Sequence, residues 1–180
     1  MLEGSQVRLR PPTAQDAALL FEWYQDPELV APFDRYEPDT IDTFAAGLAG
    51  AAHDPNSLYP RYAVELRATG TTVGCVGWYR AHPVLEYIDV WYLLGDPAQR
   101  GKGLGREAVQ LLVTDLFRTQ TVHRIGATCD VENVPSARLL ERIGFRREGS
   151  LRSALFHHAR WHDVYVWGVT RSEWPSPPKA

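Results

Sequence analysis

Cysteine is scarce in this 180-residue chain: there are two, Cys75 and Cys129, far apart and in no C-x-x-C pair. That excludes a disulfide scaffold and a zinc ribbon and suits a reducing cytosol. Long apolar runs are also missing. None approaches the ~18 residues of a membrane-spanning helix, so no membrane partner is expected. Glu3, Arg8 and Arg10 break the first residues, so no signal-peptide core is expected. There is no internal repeat and no low-complexity stretch. What is present is ordinary globular material, 44% hydrophobic and 23% charged. It predicts one domain over residues 1–174 with a disordered tail over 175–180. A chain of this size can bury roughly 70% of its unfolded surface without staples.

The net charge of −3 is small, but it is unevenly distributed. Residues 1–98 carry 6 Arg against 14 Asp and Glu, and residues 99–180 carry 13 Lys and Arg against 8 acids. An acidic first half would attract a cation and a basic second half a polyanion. Charges that merely decorate solvated faces would give the same count. No nucleic-acid partner is expected.

Hydrophobic periodicity and punctuation predict an α/β domain on a mixed sheet. The run 6–10 alternates as a strand and Pro11-Pro12 stops it. Thr13 with Asp16 marks a helix start, and a second helix fits 39–48. The β-rich runs 62–68 and 72–79 read as a hairpin around Thr69-Gly70, and 87–94 as a buried strand. A helix over about 105–117, a strand over 123–129 and a helix over 134–143 ending at Gly144 follow. Two strands, about 147–156 and 161–170, pair around 157–160 as a C-terminal hairpin.

The most informative segment is Gln99-Arg-Gly-Lys-Gly-Leu-Gly-Arg-Glu-Ala108, between a predicted strand and a predicted helix. Gly101, Gly103 and Gly105 let the backbone approach a ligand closely. The first helical amides converge there at the positive end of the helix dipole. Arg100, Lys102 and Arg106 add three cations. The set reads as a phosphate or pyrophosphate site. It is not a Walker A loop, because Gly103 rather than Ser or Thr follows Lys102. Gly103-Leu-Gly105-Arg-Glu-Ala108 matches G-x-G-x-x-A, but the chain lacks the following alternation of strands and helices that a dinucleotide fold needs. A nucleotide-dependent oxidoreductase is therefore the lesser alternative.

Arg100-Gly-Lys-Gly-Leu-Gly105 resembles the R/Q-x-x-G-x-G/A loop of the GNAT acyltransferase superfamily. Asn133-Val-Pro-Ser136-Ala-Arg-Leu-Leu-Glu-Arg-Ile-Gly-Phe145 resembles the N-x-x-S-x-x-x-x-E-x-x-G-F motif of its ribosomal-protein N-terminal acetyltransferase (RimJ/RimL-like) branch. The resemblance is sharpest over residues 89–149. It implies a GNAT fold, a mixed sheet flanked by about four helices, and acetyl-CoA as donor. It further implies that Arg100, Gly101, Lys102, Gly103, Leu104, Gly105 and Arg106 hold the pyrophosphate. Leu93 and Leu94 would pair their backbone with the pantetheine arm, and Asn133 and Ser136 would lie near the thioester. For Arg138 and Arg142, the adenosine 3′-phosphate and plain solvent both stay open.

Acetyl transfer to an amine needs a base for the ammonium proton and a donor for the departing sulfur. Many GNAT enzymes place a tyrosine donor where this chain has Leu140, so Ser136 is the expected substitute. A plain first-turn helix position beside the Asn133 cap is the alternative role for Ser136. Asp89 is the expected base, with a structural ion pair as its alternative, and Glu86 is a neighbouring candidate. Asp34 and Glu37, with Phe33, Tyr36, Trp78 and Tyr79, could form an acidic aromatic pocket for an ammonium group, although aromatics serve equally as core. His157, His158 and His162 read as a surface turn, and no metal is expected. Cys75 and Cys129 read as packed thiols. No nucleophile has a paired base, which favours direct transfer in a ternary complex. The expectation is a cytoplasmic acetyl-CoA-dependent N-acetyltransferase acting on an amine-bearing small molecule or a protein N-terminus. A homodimer and a non-catalytic acyl-CoA-binding module stay open.

Overall fold

A computed structural model describes residues 1–26, 29, 40–51, 53–82 and 84–175. Eight strands form one sheet: β1 (Leu2–Glu3), β2 (Val7–Arg10), β3 (Tyr62–Leu66), β4 (Thr72–Arg80), β5 (Tyr87–Leu94), β6 (Arg124–Asp130), β7 (Arg146–His157) and β8 (Arg160–Thr170). Their spatial order is β1-β2-β3-β4-β5-β6-β8-β7. Every neighbouring pair is antiparallel except β5–β6. That parallel pair requires a crossover, which α3 (Leu104–Thr119) supplies. The other described α-helices are α1 (Ala14–Gln25), α2 (Ile41–Gly50) and α4 (Val134–Ile143). The expected mixed α/β sheet with a C-terminal hairpin is present.

The two sheet faces follow from strand alternation. Ile88, Val90, Tyr92 and Leu94 of β5 pack with α3 and α4, as do Ile125, Ala127 and Cys129 of β6. Trp91 and Leu93 point the other way and join Leu20, Phe44 and Leu48 under α1 and α2. Tyr79 and Asp89 are register partners on this second face, whereas Trp78 opposes Val90 on the first. Trp78, expected beside Tyr79 in an ammonium pocket, therefore lies across the sheet from it, with the Arg61 guanidinium 4.3 Å from its ring centre.

Asp16 joins α1 to the sheet. Its carboxylate accepts from Thr13 N at 2.7 Å and Thr13 Oγ1 at 2.8 Å, closing the expected cap. It also accepts from Arg10 and from Thr72 Oγ1. Arg10 and Arg8 in turn bind the buried Glu65. Burial opposes the charge on both acids. The hydrogen bonds from the guanidiniums and hydroxyls outweigh it and hold both carboxyls below the usual range.

Several boundaries differ from the sequence expectation. The short β1 pairs with β2 and escapes the alternation pattern because it has only two residues. Helix α3 begins at Leu104, whose side chain is core. The C-terminal hairpin turns on His158 and Ala159, both with positive φ (48° and 58°), the backbone that a two-residue hairpin loop requires.

Candidate active site

Strands β5 and β6 part company after three rungs. Tyr87, Ile88 and Asp89 face Arg124, Ile125 and Gly126. Beyond that point β5 pairs only with β4, and β6 only with β8. The sheet thus opens into a wedge bordered by 90–94 on one side and 127–130 on the other. Backbone groups along the free edge of a strand are a template for an extended amide-bearing chain. Leu93 and Leu94 lie on this border, Leu93 buried toward α1 and α2 and Leu94 packed toward α3. The Leu94 carbonyl accepts from Arg100 Nε and Nη2 at 3.3 Å.

The glycine-rich loop lies at the mouth of the wedge. Asp96 Oδ1 accepts from Ala98 N at 2.9 Å and caps a single 3₁₀ turn, Pro97–Gln99. Gly101 and Gly103 then take φ of +75° and +82°, where a side chain would be strained. Gly103 is the N-cap of α3, and its carbonyl accepts the first helical bond, from Glu107 N at 3.0 Å. The amides of Leu104, Gly105 and Arg106 precede that bond and point outward as anion donors. A Cβ at Gly101 would meet nothing within 4 Å, and one at Gly103 only the Arg106 guanidinium. Leu104 offers its amide only, since its side chain is buried. Gly105 packs near Leu139 of α4, so its small size sets the approach of α3 and α4. Lys102 Nζ donates to Gln99 Oε1 at 2.9 Å. This is open space with a cluster of amides and three cations, as a pyrophosphate requires. Arg138 and Arg142 are exposed on α4. Arg138 lines a groove of about 680 Å³ together with Arg146, Arg147 and Tyr165, between α4 and the C-terminal hairpin.

Across the wedge, on the α3–α4 face, the Tyr92 hydroxyl and Ser136 Oγ are 2.6 Å apart. Asn133 Oδ1 accepts from Ser136 N at 3.1 Å and caps α4. Asn133 therefore positions Ser136, and Ser136 is at once a first-turn residue and the partner of a phenol. Burial pushes the Tyr92 phenol well above its ordinary range, so it stays protonated. Cys129 completes the group, accepting from Trp167 Nε1 at 3.3 Å. Burial also raises its thiol. Sequence reasoning missed Tyr92. It looked for a tyrosine on α4, where Leu140 is fully buried core, whereas the phenol comes from β5. The signal was there: Tyr92 shares the parity of Ile88, Val90 and Leu94 and brings the only hydroxyl of that set.

On the opposite face Asp89 occupies the last rung before the wedge. Burial pushes its carboxyl up, opposed by the charge of Arg124 and a hydrogen bond with Tyr79. Burial beside Asp89 pushes the Tyr79 phenol up to about 12. A Cβ at Gly126 would collide with Asp89 Oδ1, and one at Gly168 with the Arg124–Glu148 ion pair. Gly126 and Gly168 are register partners. Two facing glycines thus leave room for a polar row of Tyr79, Asp89, Arg124 and Glu148. Asp34, Glu37, Phe33 and Tyr36 lie outside the described residues. Glu86 precedes β5, and its carbonyl accepts from His123 N at 3.2 Å.

Residues 6–146 match the model of the acetyltransferase (GNAT) domain. The chain belongs to the GNAT acetyltransferase family. It is accordingly an acetyl-CoA-dependent N-acetyltransferase. One relative is "Uncharacterized N-acetyltransferase YnaD" of Bacillus subtilis (strain 168), 27% identical over 89% of this chain and 91% of that one. The "[Ribosomal protein uS5]-alanine N-acetyltransferase" of Escherichia coli (strain K12) is 36% identical, over 46% of this chain and 42% of its own. Among solved structures, Mycobacterium smegmatis RimJ in complex with CoA-disulfide superposes with a TM-score of 0.77 at 26% identity. It covers 94% of this acetyltransferase and 84% of that chain.

The histidine expectation needs correction. His157 and His162 are not a solvated turn. The β7–β8 pairing stacks their rings 3.6 Å apart against the buried Asp130 at the end of β6.

Proposed function

We propose that this acetyltransferase carries an acetyl group from acetyl-CoA to a primary amine by direct transfer through the wedge between β5 and β6. The observation that carries the reading is the placement of two proton-handling sets on opposite faces of one opening in the sheet. Asp89, held above the usual carboxylate range by burial, stands on the α1–α2 face. The Tyr92–Ser136 pair stands on the α3–α4 face.

The amides that open α3, with Arg100, Lys102 and Arg106, bind the pyrophosphate of acetyl-CoA. The free edge of β5 at Leu93 and Leu94 pairs with its pantetheine amides. Bound in this way, acetyl-CoA supplies the activated acyl group. Asp89 takes the ammonium proton of the acceptor, through water where needed. The amine nitrogen then bonds to the acyl carbon, and the carbon–sulfur bond breaks. The Tyr92–Ser136 pair delivers a proton to the departing sulfur, and the second proton of the amine nitrogen, released as the adduct collapses to the amide, restores the pair. Asn133 positions Ser136 for this by capping α4.

For the acceptor, we favour the α-amine of a protein N-terminus over a free small amine. The Asn133–Phe145 segment carries the RimJ/RimL-type pattern, and a ribosomal-protein alanine acetyltransferase is among the relatives, 36% identical over 46% of this chain. The cytoplasm is then the working compartment, in keeping with two buried free thiols. The test is an acceptor screen that reads released CoA thiol, with alanine-, serine- and methionine-starting peptides beside spermidine and small primary amines. Turnover restricted to peptide α-amines supports the reading. Turnover restricted to small amines refutes the acceptor class, and no turnover with saturable acetyl-CoA binding leaves a binding module.

A further inference from the structure

The C-terminal hairpin and the end of β6 gather a donor set that the acetyl-transfer chemistry does not use. His157 Nε2 lies 2.5 Å from Asp130 Oδ2, and His162 Nδ1 lies 2.9 Å from the same oxygen. Glu132 Oε2 is 3.7 Å from His162 Nδ1. Asp130 is 2% and His162 3% exposed. Asp130 and the two histidines are distant in sequence. They meet because Asp130 opposes Val164, two residues from His162, while the turn at 158–159 brings His157 back beside His162.

Hydrogen bonding within the protein does not satisfy this cluster. The single oxygen Asp130 Oδ2 faces both imidazoles. The bond to His157 is well formed, and the other His157 nitrogen lies 3.1 Å from His158 Nδ1. Neither nitrogen of His162 makes a hydrogen bond, although the ring is buried. A buried polar group left without a partner opposes folding. A cation coordinated at Nδ1 would give that nitrogen a partner.

We infer that Asp130, His157 and His162 form a site for a divalent transition metal of the zinc type, which Glu132, 3.7 Å from His162 Nδ1, would join as fourth ligand by a swing of its side chain. Two imidazoles and two carboxylates are a borderline donor set that suits Zn²⁺ better than Mg²⁺ or Ca²⁺. At metal–ligand bonds of about 2.0–2.2 Å, tetrahedral donors stand roughly 3.3 Å apart. The donor atoms of Asp130, His157 and His162 lie within 4.8 Å of one another, so small side-chain shifts bring them to that spacing. Two carboxylates neutralise the ion's charge. Glu132 is exposed and pairs with Arg160 at 2.6 Å, so it can exchange that surface partner for the metal at little cost. The metal would clamp the tip of the β7–β8 hairpin to β6, three residues before Asn133. Its role is to hold the wedge border in place, and no step of acetyl transfer passes through it.

The test is titration of the chelator-treated full chain with ZnCl₂, by calorimetry and by thermal melting, with MgCl₂ in parallel. One Zn²⁺ per chain, a raised melting temperature and no response to Mg²⁺ are expected. His162→Gln and His157→Gln should each weaken Zn²⁺ binding at least tenfold. His53→Gln and His123→Gln, which change histidines elsewhere, should leave it unchanged. If His162→Gln fails to fold, the more peripheral His157→Gln and the wild-type stoichiometry still decide the matter. No saturable Zn²⁺ in the wild type, or equal binding by wild type and His157→Gln, would overturn the site. None of these readouts depends on acetyl transfer.

Discussion

Replacing Tyr92 by Phe removes one oxygen from the centre of the wedge. Two costs follow, and they appear in different measurements. The first is structural. Ser136 Oγ loses a 2.6 Å partner, and a lost hydrogen bond with a partly buried partner destabilises a fold by about 1–2 kcal/mol. This cost lowers the midpoint of urea unfolding and leaves the chemistry of the folded fraction untouched. The second is catalytic. If the Tyr92–Ser136 pair protonates the departing sulfur, the proton is used only in the transition state, and general-acid assistance is worth ~10²–10⁴-fold. A hundredfold loss corresponds to about 2.7 kcal/mol of barrier. It should fall on kcat, with the KM for acetyl-CoA nearly constant. Ser136→Ala should show the same pattern. Because the two hydroxyls act as one unit, the double variant should be little worse than the poorer single one. Steady-state kinetics beside unfolding curves separates the two costs. Full kcat in folded Tyr92→Phe and in folded Ser136→Ala would remove the pair from the mechanism. Simple additivity in the double variant would show that the hydroxyls act separately.

Gly103→Asp should abolish most of the thermal stabilisation by acetyl-CoA, about 2.7 kcal/mol at a hundredfold excess over Kd. It places a carboxylate beside the pyrophosphate at a backbone φ of +82°, and an unchanged shift in melting temperature would locate the phosphates elsewhere. With Asp89 as base, kcat/KM should fall on the acid side through an apparent pKa above the ordinary carboxylate range, since burial raises that group. Asp89→Asn should lose this acid limb, and an unaltered pH profile would exclude Asp89. Arg10→Ala should cost about 3–5 kcal/mol in urea unfolding at pH 7, because it strips partners from the buried Asp16 and Glu65. The folded pKa values of both acids are lowered. Their stabilisation is therefore complete above the unfolded values near pH 4 and fades as pH falls below them. The gap between wild type and Arg10→Ala should accordingly narrow steadily as pH falls below about 4, and a constant gap down to about pH 2 would contradict the assignment.

The local parts of this acetyltransferase are written in its sequence, because each depends on neighbours a few residues away. The α1 cap rests on Thr13 and Asp16, the stop of α4 on Gly144 at φ +101°, and the anion loop on three glycines ahead of a helix. Asn133 and Ser136 are legible for the same reason, being three residues apart across a helix start. The residues that share one face of a strand follow from alternation alone.

What alternation cannot supply is which strands stop pairing. The wedge exists because β5 and β6 hold only three rungs. That is a property of the pairing between the two strands, which neither strand's own pattern displays. Tyr92 and Ser136, 44 residues apart, meet only there, which is why the phenol was sought on α4 and found on β5. Gly126 and Gly168 look like weak points of two strands until the fold shows Asp89 and Arg124 lying across them. The histidines turned out differently from a solvated turn for the same reason. Backbone pairing across the sheet carried His157 and His162 to Asp130, and a contact between strands is a property of register that no single segment of sequence encodes.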